Sequence, residues 1–238
     1  MFEEELEKAA ALYGFSLDVK QIKTFGIYYA LLIEWNAKMN LTAITDPREF
    51  AVKHIIDSLT TLRGIEEMKS LHLIDVGTGA GFPGIPLKIV RPDIKLVLLD
   101  SLKKRVRFLK TVVETLGLDD TACLHGRAEE AARENSLRER FDIAVSRAVA
   151  RLPVLAEYLL PFVRVGGRAL ALKGLHSEEE AEETGRAVKL LGGAAIKKIS
   201  VLLPGLADKR AILVMEKKKP TPERYPRKAG MPAKEPLL

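Results

Sequence analysis

The chain has a single cysteine, Cys123, among its 238 residues, so it forms no internal disulfide and is expected in a reducing, cytoplasmic compartment. No apolar run approaches the roughly 18 residues that cross a bilayer, which argues against a membrane partner. The first residues, Met1-Phe2-Glu3-Glu4-Glu5-Leu6-Glu7, are acidic where a secretory or mitochondrial leader is basic. No Gly-Lys-Ser/Thr closes a P-loop, and no cysteine cluster offers a radical or iron–sulfur site. His54, His72, His125 and His176 are scattered, without metal-ligand spacing, so no metal is expected. Internal repeats are missing too.

What is present is ordinary globular material, 47% hydrophobic and 29% charged, enough for one full α/β domain with a small extension. The net charge of +6 is unevenly placed. Residues 1–70 carry 8 Lys/Arg against 11 Asp/Glu, whereas residues 216–238 carry 7 against 3. From Ser101 to Glu114 there are 5 basic residues and 1 acidic one. A basic cluster is commonly just a solvated face, but two of them, one in a tail, point to a polyanionic partner.

About 65 residues at the start read as helices, with Leu31, Leu32, Trp35 and Met39 at helical spacing and Asp46-Pro47 as a cap and first position. After Ser70 short apolar runs take over: Leu71–Val76, Ile94–Leu99, Thr121–Leu124, Phe141–Ser146, Ala169–Lys173, Ile196–Leu203 and Ala211–Met215. Amphipathic stretches alternate with them, most clearly Leu102–Leu116. The expected fold is α/β, Rossmann-like, with seven strands in a mostly parallel sheet and a helical N-terminal extension. The last two runs, joined only by Pro204-Gly205 and a short polar link, are expected to pair antiparallel. The expected divisions are 1–65, 66–216 and 217–238, the last an extended basic arm holding five of twelve prolines.

The first strand ends in Asp75-Val76-Gly77-Thr78-Gly79-Ala80-Gly81-Phe82-Pro83-Gly84, a glycine loop opening a helix. Such a loop brings backbone N–H groups close to a ligand. A dinucleotide fingerprint wants a small residue where Phe82 stands. What fits is an acid two positions ahead of G-x-G-x-G, the first motif of Rossmann-like methyltransferases. Asp100, 21 residues past Gly79 and followed by Ser101, sits where an acid can accept from both ribose hydroxyls of S-adenosylmethionine. A purely structural glycine turn leaves Asp100 unexplained.

The fourth strand leads into Ser146-Arg147-Ala148 without the prolines that accompany exocyclic-amine methylation, and Cys123 lies away from the loop, more suited to packing than to attack on a pyrimidine. An oxygen or ring-nitrogen acceptor survives. A ring nitrogen such as guanine N7 needs no general base, only placement at about 3 Å, worth roughly 7–11 kcal/mol of proximity. Arg147, at the carboxyl end of its strand, is a candidate for phosphate or cofactor contact, and Lys173 is a similar one.

Asp75 to Pro86, Leu98 to Arg105, Ser146-Arg147-Ala148 and Leu172-Lys173-Gly174 together closely resemble the bacterial small-subunit rRNA guanine-N7 methyltransferases, first named as glucose-inhibited division protein B. Trp35-Asn36, Met39-Asn40-Leu41-Thr42, His54-Ile55-Ile56-Asp57-Ser58-Leu59 and Tyr225 to Pro232 match too. The resemblance implies N7 methylation of one guanosine in the 530 loop of 16S rRNA; the partner is expected to be rRNA or the small subunit, and the chain a monomer. It carries cofactor contacts onto Gly77, Phe82, Ala128, Glu129 and Arg147, beside Asp75, Thr78, Gly79, Asp100 and Ser101 from the loop reading. Asn40 and His54, which composition alone leaves on helix surfaces, become acceptor-side candidates. Lys103, Arg105, Arg107, Arg224, Arg227 and Lys228 are the expected phosphate contacts. Alternatives are a non-catalytic rRNA-binding assembly factor, a small-molecule methyltransferase and, more distantly, a nicotinamide-dependent oxidoreductase.

Overall fold

A computed structural model describes residues 1–65, 67–174, 177–203 and 209–238. The seven apolar runs are seven strands: β1 (His72–Val76), β2 (Lys95–Asp100), β3 (Thr121–His125), β4 (Phe141–Arg147), β5 (Val163–Lys173), β6 (Gly193–Leu202) and β7 (Lys209–Lys217). They form one sheet in the order β3-β2-β1-β4-β5-β7-β6. The first five pair in parallel, and β7 runs antiparallel between β5 and β6, as expected of the last two runs. The Pro204-Gly205 link lies outside the described residues.

Strand alternation sorts the core into two layers. Leu73, Leu96, Leu98, Ile143, Val145, Leu170, Ile212 and Val214 pack with the N-terminal helices and with α5 and α6. On this face lie α1 (Phe2–Tyr13), α2 (Val19–Met39), α3 (Pro47–Phe50), a π-helical turn (Ala51–Ile56), α4 (Asp57–Leu59), α5 (Gly84–Val90) and α6 (Lys103–Leu116). The other residues, Ile74, Ala144, Ala169, Ala171, Leu213 and Met215, face α7 (Ala128–Ala131), α8 (Leu152–Leu159) and α9 (Ser177–Leu190). The N-terminal helices therefore cover one face of the sheet and share its core.

Local signals set the ends of these helices. Asp18 and Gln21 exchange bonds at the start of α2, and Asn40 ends it in the left-handed region at φ 51°. Asp46 caps Glu49 N at 2.9 Å with Pro47 in the first position, as the sequence predicts. The helix α7 stops after Ala131 and the chain continues as turns. One expectation fails. The tail is not a free arm. Its prolines keep it extended, but polar and aromatic anchors dock it beside α8, and it ends in α10 (Met231–Lys234). Tyr225 is buried, Arg138 donates to the carbonyls of Thr221 (2.8 Å) and Tyr225 (2.9 Å), and Arg227 pairs with the buried Glu157 at 2.7 Å.

Candidate functional site

The glycine loop leaves β1 beside the carboxyl ends of β2 and β4, where the strand order reverses and ligands bind in such sheets. Gly77, Gly79 and Gly81 have φ of 70°, 63° and 105°, a conformation that side chains other than glycine's rarely adopt. At Gly77 a Cβ would stand 2.7 Å from Val149 Cγ2, so backbone and the Val149 side chain form a tight cradle.

Asp75 braces this loop from beneath. Its Oδ2 accepts from Thr78 Oγ1 at 2.7 Å and from Gly84 N at 2.8 Å, while Oδ1 is buried with no hydrogen-bond partner. Burial pushes its pKa up to about 7 against those two bonds. Asp75 lines neither of the cavities beside the loop.

Two adjoining cavities open there. One of about 180 Å³ is lined by Gly77, Asp100, Ser101, Ala128, Glu129 and Tyr158 among others. The other, of about 430 Å³, is lined by Thr42, His54, Thr78, Gly79, Phe82, Arg105 and Arg147 among others. Gly77, Asp100, Ser101 and Val149 border both. Two buried carboxylates serve the smaller one. Asp100 is fixed by Gly79 N (2.9 Å) and Leu102 N (2.8 Å), with Arg105 at 3.5 Å, and Glu129 Oε1 accepts from Gly230 N in the tail at 2.8 Å.

The larger cavity depends on the π-helical turn. Arg147 follows Ile143 and Val145 on the face that meets the N-terminal helices. Its guanidinium donates to Lys53 O (3.0 Å), Asp57 Oδ2 (3.1 Å) and His54 Nδ1 (3.1 Å). It also stands 4.8 Å from the centroid of Phe82, on which His54 stacks at 4.5 Å. Asp57, 4% exposed, is held from its far side by Arg210 at 3.6 Å. His54 Nε2 meets Thr42 Oγ1 at 2.8 Å. Burial, then the charge of Arg147, lowers the His54 pKa from 6.5 to about 3, so the ring is neutral.

The family described as rRNA small subunit methyltransferase G matches residues 21–203. A protein named ribosomal RNA small subunit methyltransferase G from Acetivibrio thermocellus is 51% identical over 98% of this chain and 95% of its own length. Its namesake from Desulforamulus reducens is 47% identical over 98% and 97%. The chain belongs to the rRNA small subunit methyltransferase G family. Among solved structures, a SAM-dependent methyltransferase from Aquifex aeolicus has a TM-score of 0.51 at 18% identity, covering 71% of this chain and 93% of that one. Pyrococcus horikoshii TYW2 in complex with MeSAdo gives 0.52 at 13%, covering 68% and 61%. These likenesses show the Rossmann-like methyltransferase fold.

Within this family member the site residues anticipated from sequence divide clearly. Gly77, Thr78, Gly79, Phe82, Asp100, Ser101, Ala128, Glu129, His54 and Arg147 come together around the two cavities. Asn40 borders neither and serves as the left-handed end of α2. Lys173 is turned away too, donating to Ala150 O at 2.8 Å and pairing with Glu180 at 2.7 Å, which secures the segment before α8. Lys103, Arg107, Arg224 and Lys228 are exposed. Arg105 is half-buried against Asp100, and Arg227 is engaged by Glu157. His176 lies outside the described residues. Sequence reasoning assigned no role to Thr42, Asp57 or Asn36, whose side chain bonds both Thr42 N and Thr42 O. Their only signal was membership of the matching N-terminal motifs.

Proposed function

We propose that this chain transfers a methyl group from S-adenosylmethionine to N7 of a guanosine in the 530 loop of 16S rRNA. The observation that carries the reading is the state of His54. Both ring nitrogens are hydrogen-bonded and its basicity is suppressed, so the larger cavity holds no competent proton acceptor in that imidazole. Guanine N7 has a free lone pair and loses no proton on methylation, whereas an oxygen acceptor needs a base. The positive charge that the product ring acquires is tolerable beside Arg147, because Asp57 balances that guanidinium at 3.1 Å.

The residues of the smaller cavity suit the cofactor. The left-handed Gly77 lets the backbone approach it, and Asp100 and Glu129 each present carboxylate oxygens to hydroxyl or ammonium groups. When bound, the cofactor supplies an electrophilic methyl on a sulfonium. The protein's work is to place the base in line with that methyl and to keep water out. Exposed Lys103, Arg107, Arg224 and Lys228 supply cations for a phosphate backbone.

The test is transfer of a labelled methyl group to small ribosomal subunits, followed by mapping of the product. One N7-methylguanosine in the 530 loop, lost with Gly77→Trp, is the expected result. No incorporation into subunits, assembly intermediates or free rRNA, despite measurable cofactor binding, would move a small-molecule acceptor into first place.

A further inference from the structure

The hydrogen bonds around Thr42 have a direction. A guanidinium only donates, so the 3.1 Å contact between Arg147 Nη2 and His54 Nδ1 makes Nδ1 the acceptor. A neutral ring then carries its proton on Nε2 and donates it to Thr42 Oγ1, 2.8 Å away. Ile44 N donates to the same oxygen at 3.0 Å. Both lone pairs of the hydroxyl are taken, and its own proton is left to donate elsewhere. Asn36 accepts from Thr42 N at 2.9 Å and donates to Thr42 O at 3.0 Å, which holds the residue in place. Thr42 lines the larger cavity with His54, Phe82 and Arg147.

We infer that Thr42 is a specificity-determining residue, its hydroxyl donating a hydrogen bond to O6 of the acceptor guanine. The inference rests on the guanine-N7 reading. N7 itself must stay free to react, and O6 is the other acceptor on the same edge of the base. Adenine presents an amino group there, and a hydroxyl that can only donate would face a donor. His54 does not read this position, since both its ring nitrogens are engaged with Arg147 and Thr42, and the Arg147 guanidinium is held back by Lys53 O, Asp57 and His54.

The experiment compares small subunits reconstituted with guanine or with 2-aminopurine at the modified position; 2-aminopurine keeps N7 but lacks O6. The wild-type kcat/KM should fall about 10- to 100-fold on 2-aminopurine, within the range of one good base contact. Thr42→Val should lose a similar factor on guanine and nothing more on 2-aminopurine, and Thr42→Ser should restore the preference. Calorimetric binding of S-adenosylhomocysteine, unchanged in both variants, confirms that they are folded; Thr42→Ala replaces Thr42→Val if the latter does not bind. A valine or alanine variant that binds the cofactor product and still prefers guanine tenfold overturns the inference and leaves the N7 reading intact. A wild-type enzyme that methylates neither RNA overturns both.

Discussion

A free imidazole titrates near pH 6.5, and His54, buried beside the Arg147 guanidinium, is held down to about 3. Its folded pKa is depressed, so the stability associated with its neutral form is present above pH 6.5 and is lost as pH falls toward 3. Ring-carbon chemical shifts of His54 should therefore stay flat between about pH 5 and 8, where an ordinary histidine would titrate. Asp75 behaves in the opposite sense. Its folded pKa is raised from 3.8 to about 7, so folding takes up a proton across that interval and its contribution declines as pH rises through it. Asp75→Asn should then gain relative to wild type between pH 4 and pH 7, by up to roughly 4 kcal/mol before the cost of altered bonds to Thr78 and Gly84. Urea midpoints of the two proteins at pH 5 and pH 8 would show it. Equal differences at both pH values would mean that Asp75 is ionised in the fold throughout.

At the scale of elements, a buried ion pair is among the anchors that fasten the tail. Glu157 in α8 is 0% exposed and takes three bonds from the Arg227 side chain. Removing one partner leaves the other charge buried alone, so Arg227→Met should cost about 3–5 kcal/mol in thermal or urea unfolding, with much of it regained in Arg227→Met/Glu157→Leu. Composition hid this. Five prolines and seven basic residues in residues 216–238 describe a solvated arm, and nothing in the sequence says that Glu157, inside a helix of apolar residues, needs a cation. The strands were legible because their apolar runs are bounded by turns, and the glycine loop because few ligands tolerate that spacing. Arg147 was legible from its place at the carboxyl end of the fourth strand, whereas Glu129 was reached only through family motifs. Thr42 and Asp57 were not assigned, because their role exists only where a π-helical turn brings residues 53, 54 and 57 against the end of β4.

For the molecule as a whole, the charge that matters to rRNA is the charge left unpaired. Lys103 and Arg107 on α6 are exposed, as are Arg224 and Lys228 in the tail. Each such residue changed to alanine should shallow the salt dependence of RNA binding by about 0.7 in log–log slope if it meets single-stranded phosphate. Filter binding at several salt concentrations measures that directly. Arg227→Met, by contrast, should weaken RNA binding through lost folding and leave the slope of the folded fraction unaltered. The tail also has a consequence in time. Gly230 N, which bonds Glu129 beside the smaller cavity, belongs to a stretch translated after all seven strands. That wall of the smaller cavity is therefore completed only after the residues of the sheet itself have been synthesised.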